Sequence, residues 1–171
     1  VFEGLHNKQL FYPSFFYKKQ KDMKSVMIIL FLLISVQKIS AQTSSSIASW
    51  KYTVAEVDAK KQMQFHATIK EGWHLYSQFL VGDGPVPTTF TFHESKNYSL
   101  IGKVKEGKAK MMYDPNFDMQ ISYFEGKTIF TQEIKNNTKE KQKVSGTIEF
   151  MVCDDTMCYP PEVIEFSVDL P

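Results

Sequence analysis

Two cysteines, Cys153 and Cys158, are the only ones in the chain, and they sit together in the stretch "CDDTMCYPP". Residue types and spacing allow three uses for such a pair: a structural clip, a dithiol that exchanges electrons, or half of a zinc site. A disulfide across so tight a tip is sterically reasonable. The chain-entropy account gives so small a ring about 2 kcal/mol, near the low end of the usual range. A staple normally ties distant segments, so the position leans towards chemistry, yet spacing alone leaves clip and redox centre both open. Structural zinc takes four Cys or His ligands. His66, His74 and His93 are the histidines after residue 41, and none stands at a short ligand spacing from the cysteines. No metal is expected.

Other chemistries lack their signatures. There is no GxSxG, no HExxH and no phosphate-cradling glycine loop. Carboxylates are plentiful, as on any sandwich surface, so they do not argue for a paired-carboxylate mechanism. The chain contains no arginine, the residue on which bidentate phosphate and guanine recognition leans, so nucleic acid is not an expected partner.

The elements that must position the cysteines follow a change of composition. Residues 1–41 carry six lysines against Glu3 and Asp22, a net of +4, whereas the rest carries 14 lysines against 17 acidic residues. From Met23 the chain reads "MKSVMIILFLLISVQKISAQ", a short positive start, an apolar run from Val26 to Val36 and a small-residue exit at Ser40 and Ala41. That order describes a secretory signal peptide over 23–41. The apolar run is shorter than the roughly 18–20 residues that span a bilayer, so no retained membrane segment is expected. Residues 1–22 fit no domain pattern and read as an over-extended N-terminus with initiation at Met23. The working domain is then 42–171.

In that domain period-two patterns dominate. "QMQFHATIK" puts Met63, Phe65, Ala67 and Ile69 on one face and polar residues on the other, the mark of a half-buried strand. The same alternation places Trp50, Tyr52 and Val54; Phe90 and Phe92; Met119, Ile121 and Tyr123; Phe130 and Ile134; Ile148, Phe150 and Val152; and Ile164, Phe166, Val168 and Leu170. Turn signals such as "EGW", "GDGP", "YDPN" and "KNNTKE" separate them. No sustained 3.6-residue stripe competes. About seven to nine strands at this spacing predict an all-β fold, an antiparallel β-sandwich. The cysteines end one strand and precede the next, so they cannot form the inter-sheet bridge of antibody domains, which joins strands distant in sequence.

"GTIEFMVCDDTMCYPPEVIEFSVDL" resembles the end of the periplasmic N-terminal domain of DsbD-type thiol:disulfide interchange proteins. "EGWHLYSQ" is similar to that family's Gly-Tyr-Tyr-Leu-Tyr segment, and "YDPNFDMQISYFEGKTIFTQEI" to its cap loop and following strands. The resemblance runs from about Trp50 to Leu170. It implies an immunoglobulin-like sandwich in the periplasm, fed by a thioredoxin-like or membrane donor and passing electrons to periplasmic disulfide oxidoreductases. No organic cofactor is implied, because the dithiol is itself the carrier. Carried over by position, Cys158 forms mixed disulfides and Cys153 resolves them. Tyr76 and His74 fall on active-site tyrosines, Phe117 on a shielding cap residue and Asp114 close to the family's acidic positions; Tyr159 and Pro160 complete the Cys-Tyr-Pro-Pro element. This chain departs in its four-residue spacer, where the best-known members have five residues, in the histidine at 74 and in Asp118 within the cap. In the family a membrane channel and a thioredoxin-like domain accompany the sandwich; the sequence to Pro171 includes neither.

The residues agree with that reading in one physical respect. Asp154 and Asp155 disfavour a nearby thiolate, which suits a dithiol protected from stray oxidants, and Pro160 and Pro161 fix the backbone beyond Cys158. The alternative from another class is a secreted sandwich that binds a protein or glycan, with the cysteines as an inert clip.

Overall fold

A computed structural model describes residues 43–80 and 82–171. The signal peptide expected at 23–41 and the leading segment 1–22 lie outside the described residues. Among those described, a single helical turn, α1 (Ser44–Ile47), precedes eleven strands. They are β1 (Ala48–Val57), β2 (Lys60–Ile69), β3 (His74–Tyr76), β4 (Thr89–Phe92), β5 (Tyr98–Glu106), β6 (Lys110–Asp114), β7 (Met119–Phe124), β8 (Lys127–Asn136), β9 (Gln142–Phe150), β10 (Val152–Cys153) and β11 (Glu162–Leu170). All neighbouring pairs run antiparallel, in the orders β1-β2-β8-β5, β10-β3-β7-β6 and β11-β9-β4. The antiparallel sandwich expected from the alternation is the fold observed. Two of the additional strands, β3 and β10, are only three and two residues long.

Alternation builds the main core. Met63, Phe65, Ala67 and Ile69 of β2 are buried, as are Phe130 and Ile134 of β8, Val144, Ile148 and Phe150 of β9, and Phe166 and Leu170 of β11. Trp50, Tyr52, Phe90 and Phe92 pack against them. Phe65 lies within ring-contact range of Tyr52, Phe90, Phe92 and Phe166, so aromatic edges and faces fill the space between the first and third sheets. The "TSSS" leader is more than polar spacer. It forms α1, and Ile47 enters the core.

Gly146 shows how closely the third sheet is packed. In β9 it stands opposite Phe166 of β11 and Phe92 of β4. A Cβ there would fall 2.0 Å from the Thr91 carbonyl oxygen and 2.8 Å from the Phe166 ring. Gly146→Ala therefore forces the strands apart, and chemical denaturation is expected to register a loss of about 3 kcal/mol.

A smaller apolar cluster forms on one face of the β10-β3-β7-β6 sheet. Tyr76, Ile121, Tyr123 and Cys153 are its buried members, with Leu80, Met112, Phe117, Met119, Met151 and Cys158 packed against them. The period of two divides β3 and β10 between the two cores. Leu75 and Val152 point into the main one, whereas Tyr76 and Cys153 belong to the smaller.

Candidate functional site

The cysteine tip is a closed hairpin. Cys153 and Cys158 face each other as an isolated antiparallel bridge and are joined by a disulfide, with Cα atoms 4.0 Å apart. The Tyr159 amide donates to the Val152 carbonyl at 3.0 Å, and the Asp154 amide donates to the Met157 carbonyl at 2.9 Å. Asp154 turns its carboxylate back into the loop. Its Oδ1 accepts from the Thr156 amide, the Thr156 hydroxyl and the Met157 amide, each at 2.8 Å. These donors, the Thr156 amide first, hold its carboxyl below the ordinary 3.8. Asp155 stays exposed. The two sulfurs are not equivalent: Cys153 is 0% exposed, while Cys158 is only half-buried.

Antiparallel register delivers the neighbours. Cys153 pairs with His74, and Tyr76 pairs with Tyr123 of β7. His74 and Tyr76, two apart on one strand, share the face that carries the disulfide. Asp114 ends β6 opposite Met119. Its buried carboxylate accepts from the Tyr76 hydroxyl at 2.6 Å through Oδ2 and from the Asn116 amide at 2.8 Å through Oδ1. His74 Nε2 lies 3.3 Å from the Tyr76 oxygen and 3.7 Å from Asp114 Oδ2. The Tyr76 oxygen in turn is 3.9 Å from Cys158 Sγ. A histidine and a carboxylate thus meet at the tyrosine oxygen that reaches one sulfur.

Burial sets the electrostatics here. It raises the Tyr76 phenol well above its ordinary 10.0, and the hydrogen bond and charge of Asp114 add to the effect. Burial also pulls the His74 imidazole below its ordinary 6.5, against the opposing pull of Asp114, Asp155 and Glu125. His74 and Asp114 are close enough for an ion pair once the ring is protonated, but at neutral pH desolvation keeps the ring neutral. Asp114→Ala leaves the Tyr76 hydroxyl and the Asn116 amide without their acceptor. It is expected to destabilise the oxidised protein by about 2–3 kcal/mol in urea titration. Asp114→Asn, which keeps an oxygen acceptor, is expected to cost about half as much.

The β6–β7 turn covers the site. Phe117 meets the Tyr76 ring edge-on at 6.2 Å and packs into the same cluster as both sulfurs. The Asn116 side-chain amide donates to the Asp154 carbonyl at 3.2 Å, fastening this turn to the cysteine loop. Tyr159 stacks on Trp73, with ring centroids 5.1 Å apart and planes 14° from parallel. Pro160 is exposed, and its carbonyl accepts from the Ser44 hydroxyl at 2.9 Å. Ser45 engages the Glu162 carboxylate through both its amide and its hydroxyl. The structure therefore gathers Cys153, Cys158, Tyr76, His74, Asp114 and Phe117 at one place, with Asp154 committed to the loop and Tyr159 and Pro160 on its exit. Sequence reasoning missed Asn116, Trp73, Tyr123 and the Ser44–Ser45 clasp. Asn116 and Trp73 lie inside motifs already singled out, but a turn amide or a stacking ring has no periodic signature.

The family model described as thiol:disulfide interchange protein DsbD, N-terminal, matches residues 43–170. The chain belongs to the DsbD N-terminal domain family. Among solved structures, the DsbD N-terminal domain from Neisseria meningitidis in its reduced form is similar, with a TM-score of 0.50 and 14% identity; the match covers 77% of this chain and 91% of that one. The N-terminal periplasmic domain of ScsB from Proteus mirabilis is similar at a TM-score of 0.52 and 10% identity, over 76% of this chain and 48% of that one. Identities this low speak for the fold alone. No curated protein sequence matches the chain. As a DsbD N-terminal domain, the chain carries its disulfide on the β10 tip, between the cap turn and the Tyr76–Asp114 pair. No helix among the described residues is long and apolar enough to cross a membrane.

Proposed function

We propose that residues 42–171, freed of the 23–41 signal peptide, act in the periplasm as a dithiol/disulfide carrier. An electron pair arrives from a thioredoxin-like or membrane donor, reduces the Cys153–Cys158 disulfide and leaves to a periplasmic disulfide oxidoreductase. The observation that carries this reading is the asymmetry of the two sulfurs. Cys158 is reachable under a cap fastened by one side-chain hydrogen bond, whereas Cys153 is sealed beneath it. A donor thiolate attacks Cys158 Sγ, the S–S bond breaks and Cys153 leaves as a thiolate. The donor's second thiol then attacks its own sulfur of the mixed disulfide, and Cys158 is released. The donor ends as a disulfide, the carrier as a dithiol, and the two protons of the donor thiols are matched by two taken up here.

Asp114 and Asp155 near the sulfurs disfavour free thiolates, and thiolate fraction and access govern exchange rates. Both slow the reduced carrier towards oxidants that do not dock. Incubation of the oxidised chain with a reduced thioredoxin-like protein, followed by thiol counting, tests the reading. Transfer of one electron pair per chain supports it; a disulfide left intact by every thioredoxin-like donor overturns it.

A further inference from the structure

His74 is buried beside the disulfide, paired across the strands with Cys153, and the exchange reading gives it nothing to do. It occupies a place where an acid would act. Release of Cys158 from a mixed disulfide creates a thiolate in a half-buried pocket that already holds the Asp114 carboxylate. We propose that His74, acting through the Tyr76 hydroxyl, delivers the proton that neutralises the Cys158 sulfur as it leaves. The inference rests on the exchange reading and names the proton source for one of its steps.

The path is continuous. His74 Nε2 is 3.3 Å from the Tyr76 oxygen, and that oxygen is 3.9 Å from Cys158 Sγ. In the disulfide state the Tyr76 proton is turned to Asp114 Oδ2. When the sulfur becomes anionic, the phenol proton turns to it, and protonated His74 replaces that proton on the Tyr76 oxygen. Thiolate and imidazolium become thiol and imidazole, and Tyr76 ends with the proton count it began with. A tyrosine alone cannot serve as the source, because burial and Asp114 hold its phenol protonated far above neutral pH.

The groups facing His74 favour the transfer. Asp114 reaches it from β6, Asp154 and Asp155 from the cysteine loop and Glu125 from beyond β7, all acidic. Tyr76 on its own strand and Tyr123 of β7 meet its ring edge-on at 5.1 and 5.4 Å, and Cys153 pairs with it across β10. The nearby cation Lys110 is bound to Glu125 at 2.6 Å. A nascent thiolate adds to this negative surround, so the ring's affinity for a proton rises at the moment one is needed. Histidine is the side chain that can load and release a proton near neutral pH.

The test uses the full chain with Cys153→Ser, carrying glutathione on Cys158, and follows release of Cys158 by dithiothreitol between about pH 5 and pH 8. Attack falls on the exposed glutathione sulfur, and Cys158 is the leaving group. Comparing His74 with His74→Gln at each pH cancels the ionisation of the reagent. Imidazolium is the active form, so the advantage of His74 is present at low pH and lost as pH rises through its pKa. The expected ratio is about tenfold at the acid end and one at the alkaline end, below the usual range for acid–base catalysis because thiolates leave readily. Tyr76→Phe breaks the path with His74 in place and is expected to abolish the same acid-side advantage, and the double variant is expected to lose no more than either single one. A ratio that does not change with pH, or losses that add, overturns the relay and leaves the carrier intact. Should His74→Gln fail to fold, His74→Tyr keeps an aromatic ring in that space and the same comparison decides. An unsubstituted disulfide that dithiothreitol cannot reduce overturns the carrier reading, and the relay with it.

Discussion

Replacing Cys153 by serine is expected to turn the protein into a trap that holds partners as long-lived mixed disulfides, and replacing Cys158 instead is expected to capture none. The physical basis is the position of each sulfur. Cys158 is the half-buried one, under the cap turn. Cys153 is fully covered and sits beside it on the same hairpin, placed to attack a mixed disulfide from within. Without Cys153 that attack is lost, and a mixed disulfide with a partner that lacks a second thiol decays only by uncatalysed exchange, in minutes to hours. Mixing each reduced variant with a thioredoxin-like protein left with a single active-site cysteine, activated as its thionitrobenzoate disulfide, and resolving the products on non-reducing gels reads the difference. Equal trapping by both variants would show that the roles are not divided in this way.

Phe117→Ala is expected to speed reduction of the disulfide by small thiols about tenfold, since access is a main control on exchange. The ring packs edge-on against Tyr76 and within the cluster that includes both cysteines, so its loss uncovers the sulfurs without touching them. The same change removes a partly buried ring and is expected to cost about 2 kcal/mol of stability, less than a fully buried phenylalanine. Rates with a small monothiol and a denaturation curve separate the two effects. A variant that is destabilised but reduced no faster would make Phe117 a packing residue only.

Much of the fold is legible in the chain because burial enforces a strict period. β2 and β9 bury alternate residues along nearly their whole length, and their sequences show it. β5 and β6 were not legible, for local reasons. The β5 pairing with β8 shifts register between Ile101 and Lys105, and Gly102 sits there with φ +71. Its "YSLIGKVKE" is therefore two short pieces of pattern out of phase. In β6, Met111 and Met112 are consecutive and Met111 is exposed, so hydrophobicity does not distinguish its faces. The two-residue β10 carries the disulfide and owes its existence to pairing with β3. The site itself was legible only through motif order. Tyr76 and Asp114 are 38 positions apart, and no periodicity places a carboxylate of one strand on a phenol two strands away. Likewise nothing in "CDDTMC" reveals that Asp154 folds its own loop while Asp155 faces outward.

The most direct test of the carrier is the reduction potential of the Cys153–Cys158 couple, measured by equilibrating the chain with glutathione buffers. A value between about −180 and −280 mV, among exchange-active dithiols, is the expected result. A value below about −300 mV is that of structural disulfides; it would make the tip a clip, and the sandwich a binding module rather than a carrier of electrons.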